Sequence, residues 1–159
     1  MKYFLILITT LICRSAFAQQ ISYEQWKEEA KTEIRLLPEY GNVQKTPGQI
    51  EADQKLIQEE LKLDTTPRKA SEHLVRLGFD YLYRGNIRTA MYRFNQAWLL
   101  DPKNANVYWG FGSIYFTFND MNEALRQYAK GLAINPNSSN ILTDKATIYM
   151  IFFEKKRDA

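Results

Sequence analysis

Cysteine and histidine are nearly absent from this chain, since its 159 residues include one of each. A single cysteine excludes a disulfide framework, and one cysteine with one histidine is too few for the usual zinc sites. Glycine and proline number 7 and 5, which excludes collagen-like and low-complexity classes. We therefore expect no metal, no cofactor and no catalytic residues.

The chain is rich instead in apolar and aromatic residues, which make up 45% and 14% of it. This content is too high for a disordered protein, and the length fits one small domain with or without an arm. After residue 18 no apolar run approaches the ~18 to 20 residues that cross a bilayer, so we expect no stable membrane insertion of that part.

The first 18 residues have the pattern of a secretory signal peptide. Lys2 supplies the positive start, residues 3–12 are apolar, and residues 16–18 (Ala-Phe-Ala) form a small-x-small cleavage site. We predict cleavage after Ala18 and a periplasmic or secreted protein. Two alternatives remain open. One is a membrane anchor, for which ten apolar residues are short. The other is a lipoprotein modified at Cys13, although the residue before it is larger than that motif prefers.

The net charge of the exported form is close to zero. Removal of residues 1–18 leaves nineteen basic and eighteen acidic side chains. This balance gives no general attraction to nucleic acid or to anionic lipid. Aromatic residues interleaved with arginines could stack bases, but most of them occupy core positions of the repeat described next. We expect no nucleic-acid partner.

An internal repeat of 34 residues relates segments 71–104 and 105–138, which align without a gap. Small residues occupy positions 8, 20 and 27, aromatic residues occupy 11 and 24, and proline occupies 32. The pairs are Gly78/Gly112, Tyr81/Tyr115, Ala90/Ala124, Phe94/Tyr128, Ala97/Gly131 and Pro102/Pro136. Small residues allow two antiparallel helices to approach closely, aromatic side chains fill the space between neighbours, and proline ends the second helix.

This pattern resembles the tetratricopeptide repeat, a helix–turn–helix unit of 34 residues. The resemblance implies an all-α fold, a short solenoid of two full repeats followed by a capping helix at 139–156 in the same register. Residues 67–159 would form this repeat domain. Residues 19–66 carry a capping box and a proline start signal, which predict a two-helix arm. Because its second helix is strongly polar, we expect the arm to pack loosely.

The resemblance also implies a non-catalytic protein–protein interaction module whose partner is another protein or a peptide. Members of the family bind along the concave face, which the first helix of each repeat lines. By register, the partner-binding groove would contain Val75, Phe79, Tyr83, Trp109, Phe116, Thr117 and Met150. Trp109 and Phe116 lie outside the signature core positions, which favours a binding role for them. The sequence leaves open whether the arm fills this groove itself.

The last helix offers a second surface, because it is very apolar and no second helix follows it within its unit. We predict that positions 3, 10 and 14 are left uncovered and form a self-association face. These residues are Ile141, Ile148 and Phe152. The alternative functions are therefore a self-associating structural subunit of a cell-envelope complex, which would be a homodimer through this face, or a carrier of a small ligand in the groove.

Overall fold

The computed structural model describes residues 21–158, and within them the chain forms seven α-helices, two short 3-10 helices and no strand. The α-helices are α1 (Tyr23–Glu29), α2 (Pro47–Leu63), α3 (Pro67–Tyr83), α4 (Ile87–Leu100), α5 (Ala105–Thr117), α6 (Met121–Ile134) and α7 (Ser139–Arg157). The 3-10 helices are Ile34–Leu36 and Pro38–Asn42. The all-α fold class is confirmed. The signal peptide predicted for residues 1–18 lies outside the described residues.

Helices α3 to α6 form two antiparallel pairs. In each pair, an aromatic ring of the second helix packs against a glycine of the first. A Cβ atom added to Gly78 in α3 would lie 2.4 Å from the ring of Phe94 in α4. A Cβ atom added to Gly112 in α5 would lie 2.2 Å from the ring of Tyr128 in α6. Both rings are fully buried. The small and aromatic positions of the repeat therefore meet as the sequence predicts.

The phenyl ring of Phe94 also contacts the next repeat. A Cβ atom added to Gly110 would lie 2.4 Å from that ring, so a second helix, α5, approaches it as closely as α3 does. Phe94 thus joins three helices. Gly110 lies outside the small positions of the repeat, and its role is to let α5 approach this ring. Gly131 has the same role further on, because a Cβ atom there would lie 2.4 Å from Ile141 in α7.

The turns within the two pairs have the same design. Gly85 and Asn119 adopt positive φ angles of 76° and 62°. Glycine and asparagine are the residues that most readily take this left-handed conformation at a helix C-terminus. The next residue in each turn, Asn86 or Asp120, accepts a hydrogen bond from a backbone amide in the first turn of the following helix. Each turn therefore ends one helix and starts its partner.

The first part of the arm packs tightly against the second helices of the pairs, α4 and α6, and against the turn between α5 and α6. Trp26 and Leu36 are each only 1% exposed. The ring of Tyr23 stacks on Phe118 at 5.0 Å, and its hydroxyl donates a hydrogen bond to Asp120 at 2.6 Å. This part of the arm is a fixed portion of the core, which differs from the loose packing expected from the sequence.

The arm also departs from the two regular helices that the sequence predicts. Helix α1 has seven residues, and the chain then makes 3-10 turns, because the carboxylate of Glu33 accepts a hydrogen bond from the amide of Arg35 and starts a new turn. Helix α2 begins at Pro47, as the proline start signal predicts, and contains no buried residue. Loose packing is therefore a property of α2 and not of the whole arm.

A left-handed turn follows at residues 39–42. The φ angles of Glu39, Tyr40 and Asn42 are 56°, 55° and 52°, a region that costs a residue with a Cβ atom about 1–2 kcal/mol. Asn95 of α4, which is fully buried, holds this turn in place. Its side-chain amide donates to the carbonyl groups of Arg35 and Leu37 at 2.9 Å, and its oxygen accepts from the amide of Tyr40 at 3.3 Å.

Candidate functional site

An open groove of about 810 Å³ lies along helices α3 and α5. It is lined by Glu72, His73, Val75, Arg76, Leu77, Phe79, Asp80, Tyr83, Asn106 and Trp109. Eight of these residues belong to α3 and two to α5, so the groove follows the first helix of the first pair and is closed on one side by the second pair. Helix α3 presents them on one face because helical residues three and four apart are neighbours.

The apolar wall of the groove is a row of aromatic rings that becomes more exposed along α3. The rings of Phe79 and Trp109 are 4.0 Å apart between centroids, and the rings of Phe79 and Tyr83 are 6.0 Å apart. Phe79 is 7% exposed, whereas Tyr83 is 78% exposed. The buried ring therefore fixes the wall, and the exposed ring can make contact with a bound molecule.

Trp109 is tied to the last helix by a hydrogen bond. Its indole nitrogen donates to the Oδ2 atom of Asp144 in α7 at 2.8 Å, and the hydroxyl of Tyr128 in α6 lies 3.1 Å from the same oxygen. Burial raises the pKa of the Tyr128 hydroxyl, which therefore stays protonated and donates to the carboxylate. Asp144 thus joins three helices at the back of the groove.

Similarity to known proteins is found for the helical repeats. Residues 81–148 match the model of the tetratricopeptide repeat family. The matched stretch runs from α3 into α7 and includes both turns described above. A human protein, tetratricopeptide repeat protein 6, is 29% identical over 86 residues, which are 54% of this chain and 16% of that protein. The chain therefore spans about one sixth of the relative that it matches. No solved structure matches the chain.

A tetratricopeptide segment indicates a protein–protein interaction module. Within residues 21–158, no helix has the length and apolar character needed to cross a membrane. The same residues contain no group of three or more histidine, cysteine, aspartate or glutamate side chains placed to hold a metal ion.

The tetratricopeptide register places four of the seven predicted groove residues together. Val75, Phe79, Tyr83 and Trp109 line one cavity. The other three lie elsewhere, as the following contacts show. Phe116 packs against the core, Thr117 is exposed and donates a hydrogen bond to the carbonyl of Ser113, and Met150 borders a shallow depression on α7 with Tyr149 and Phe153. The groove is therefore shorter than the three-helix cradle that the sequence predicts.

The expectation that Trp109 and Phe116 have no packing role is wrong. Trp109 is half-buried, stacks against Phe79 and bonds to Asp144, while Phe116 is half-buried against the core. Neither position is part of the repeat signature, but Trp109 is half-buried between neighbouring repeats and Phe116 is half-buried against the core. A contact between repeats therefore accounts for Trp109, which a single repeat leaves unexplained.

Charged residues missed by the register line the outer edge of the groove. His73, Arg76 and Asp80 stand on the neighbouring stripe of α3, and the Nδ1 atom of His73 lies 3.3 Å from Asp64 at the end of α2. Their spacing of three and four residues is visible in the sequence and places them on one face of the helix. The edge of the groove is thus polar, and its floor is apolar.

The arm leaves this groove open. No residue before α3 is among those that line it, since the part of the arm before α2 packs on α4 and α6, on the other side of the helix pairs. Asp64, the residue that ends α2, reaches the edge of the groove through its contact with His73. In the described residues, the arm therefore does not fill the groove.

The face predicted for self-association is wrong in two of its three residues. Ile141 and Ile148 have no exposed surface, and Phe152 is 38% exposed. These positions point back towards the preceding helices, where Ile141 packs against Gly131. Three other exposed apolar residues of α7 lie on a different stripe: Leu142 at 45%, Tyr149 at 53% and Phe153 at 69% exposed.

Proposed function

We propose that this protein is a non-catalytic interaction module that works outside the cytoplasm and binds a peptide segment or a helix of another protein in the groove of α3 and α5. The observation that carries the proposal is the exposed ring of Tyr83 beside the fixed pair of Phe79 and Trp109. Aromatic side chains in such positions dominate the binding energy of many interfaces.

The chemistry of the groove favours a ligand with one or two large apolar side chains. Val75 and Phe79 are buried apolar residues of the groove, and an apolar side chain placed against them would be removed from water. The edge offers an arginine, a histidine and two acids, which suit the polar backbone and side chains at the margins of a bound segment. Helix-in-groove recognition uses this combination.

A selection from a displayed library of random peptides tests the groove without a known partner. Selected peptides are measured against the wild type, Tyr83→Ala and Leu63→Ala. We expect Tyr83→Ala to weaken binding by about tenfold or more. Leu63 is the matched control, because it is also strongly exposed and apolar but lies at the end of α2, outside the groove. Equal binding by all three proteins would place the site elsewhere.

Export from the cytoplasm is the second part of the proposal, and it depends on residues 1–18. The combination of Lys2, the apolar stretch and the Ala-Phe-Ala motif supports cleavage after Ala18. Intact mass measurement of the protein recovered from its own cells tests it. A chain beginning at Gln19 is expected, whereas a lipid-sized addition at Cys13 or an uncleaved start would contradict the proposal.

A further inference from the structure

The apolar stripe of α7 that contains Leu142, Ala146, Tyr149 and Phe153 is exposed along its whole length. In the first two repeats the corresponding positions are covered by the second helix of the same repeat. Phe94 covers Gly78, and Tyr128 covers Gly112. Nothing in residues 21–158 covers the stripe of α7 in this way. Large apolar side chains in a continuous exposed row are typical of an interaction surface.

The spacing of this stripe is symmetric. The four residues are separated by four, three and four positions, so the row reads the same from either end. When two copies of a helix pack antiparallel, each step forward along one copy is a step back along the other, so the numbers of two facing residues always add up to the same value. Two copies of α7 would therefore place Leu142 opposite Phe153 and Ala146 opposite Tyr149, twice each. The same side chains then serve both copies, as an interface with two-fold symmetry requires.

The paired residues are also complementary in size. Opposite Tyr149 stands Ala146, which is small enough to receive an aromatic ring. The chain already uses this arrangement twice, where Phe94 lies on Gly78 and Tyr128 lies on Gly112. The spacing by four and three residues is that of helices packed side by side.

The charge of α7 decides the direction of the pair. Lys155, Lys156 and Arg157 occupy its last turn, and no basic residue occupies its first turn. Parallel packing would bring the two basic ends together. Antiparallel packing separates them by about 25 Å, at 1.5 Å per residue, which is well beyond the screening length of about 8 Å at physiological salt. Repulsion between the ends is therefore small only in the antiparallel arrangement.

From the symmetric spacing, the size match and the charge, we infer that a second copy of this chain covers the exposed stripe of α7, as an antiparallel helix pair about a two-fold axis between residues 147 and 148. This inference is independent of the groove, because the stripe shares no residue with it. One helix face per copy is a small interface, so we expect a reversible dimer that forms as the protein is concentrated.

Sedimentation velocity over a range of protein concentrations tests the dimer. We expect the wild-type chain to pass from monomer to dimer, and Tyr149→Glu to raise the dissociation constant by at least about tenfold, since it removes an aromatic ring from the apolar interface and puts a carboxylate there. Tyr149 is half-exposed, so the variant should keep the helical content of the wild type. Thr147→Glu is the matched control, because it adds the same charge to an exposed position off the stripe. A wild-type chain that stays monomeric throughout would overturn the inference.

Disulfide cross-linking tests the direction of the pair. Leu142→Cys and Phe153→Cys are made separately in the full chain carrying Cys13→Ser, so that no other thiol is present. We expect a mixture of the two proteins to form a cross-linked dimer that contains one copy of each, and each protein alone to form none. Cross-linking of each protein with itself would show parallel packing. Loss of peptide binding by Tyr83→Ala with an unchanged dimer would show that the two surfaces are separate.

Discussion

The buried side chain of Asn95 holds the backbone of Tyr40 in a left-handed conformation. The amide of Tyr40 donates to the Oδ1 atom of Asn95 at 3.3 Å, although the two residues are 55 positions apart. The amide group of the same side chain binds two carbonyl groups of the preceding turn. One residue of α4 thus bonds to three backbone groups of the arm, two of which also bond to each other, and offsets the cost of the left-handed conformation.

Asn95→Ala is expected to release the arm before the repeats unfold. The carbonyl of Arg35 would lose its partner, and the amide of Tyr40 and the carbonyl of Leu37 would keep only the bond to each other. A group left unsatisfied costs about 1–3 kcal/mol. The arm can avoid this cost by leaving α4. Hydrogen exchange checks the result, since amides of residues 21–42 should lose protection and those of α5 and α6 should keep it. Asn137→Ala, at an exposed position in the turn before α7, is the control. Equal loss of protection in all helices would contradict a separate docking step.

Acid is expected to loosen the same part of the arm. Burial opposes ionisation of Glu39, but hydrogen bonds from Asn42 and Lys130 prevail and hold the pKa of its carboxyl below its usual value of 4.5. A carboxyl whose pKa is lower in the folded state stabilises that state above its unfolded pKa and loses this contribution as the pH falls. Arm protection should therefore decrease as the pH falls below about 4.5.

The variant Glu39→Gln tests whether Glu39 is the group that causes the loss of arm protection in acid. Glutamine has similar size and no charge, so the variant should have a less protected arm at neutral pH and a smaller further loss in acid. If the wild type and the variant lose protection equally as the pH falls, another group is responsible.

Gly112→Ala is expected to destabilise the second repeat. The added methyl group would lie 2.2 Å from the ring of Tyr128, which is buried and cannot move aside. Overpacking of this kind costs about 1–3 kcal/mol. Gly48→Ala in α2 is the matched control, because no atom lies within 4 Å of the added group, and a helix gains up to about 1 kcal/mol from this change. Urea unfolding should have a lower midpoint for Gly112→Ala and no lower midpoint for Gly48→Ala.

Trp109 is expected to contribute to stability as well as to binding. Trp109→Ala removes the contact with Phe79 and the hydrogen bond to Asp144, and we expect a loss of about 2 kcal/mol or more in the free energy of unfolding. Trp109→Phe keeps a ring in place and should lose about 1 kcal/mol, the usual net value of one hydrogen bond. Tyr83→Ala, at a position 78% exposed, should change stability by less than about 0.5 kcal/mol. A similar loss for Tyr83→Ala would mean that the groove wall is structural throughout.

The helix pairs could be predicted from the sequence because the constraint on them is local and repeated. A glycine is followed sixteen residues later by an aromatic residue in both copies, at Gly78 and Phe94 and at Gly112 and Tyr128. Only close helix packing explains both coincidences, and the structure places each ring on its glycine. The groove was partly predictable for the same reason, since Val75, Phe79 and Tyr83 share one face of one helix.

The docking of the arm could not be predicted, because its contacts join residues that are far apart and occur once. Glu39 meets Lys130, which is 91 positions away, and no repeat reveals that pairing. Nothing in the types of Glu39 and Tyr40 favours a positive φ angle either. Their conformation is imposed by Asn95, whose identity carries no signal of its own.

The exposed face of α7 was misassigned because the helix has two apolar stripes. One contains Ile141 and Ile148, and the other contains Leu142 and Tyr149. Periodicity cannot tell which stripe faces the preceding helices. The repeat contains the missing information, since Leu142 corresponds to Tyr108, which lies against Gly131 in its own second helix.

The carboxylate of Asp144 receives hydrogen bonds from the groove wall and from α6, and it belongs to the helix that carries the exposed stripe. A ligand that changes the position of Trp109 therefore acts on the same helix that a second copy would cover. Binding free energies linked in this way are reciprocal: if occupation of the groove strengthens or weakens pairing of the chain, pairing changes the affinity of the groove by the same factor. Because the fraction of dimer rises with protein concentration, titrating one peptide into the protein at two protein concentrations would then give two different affinities.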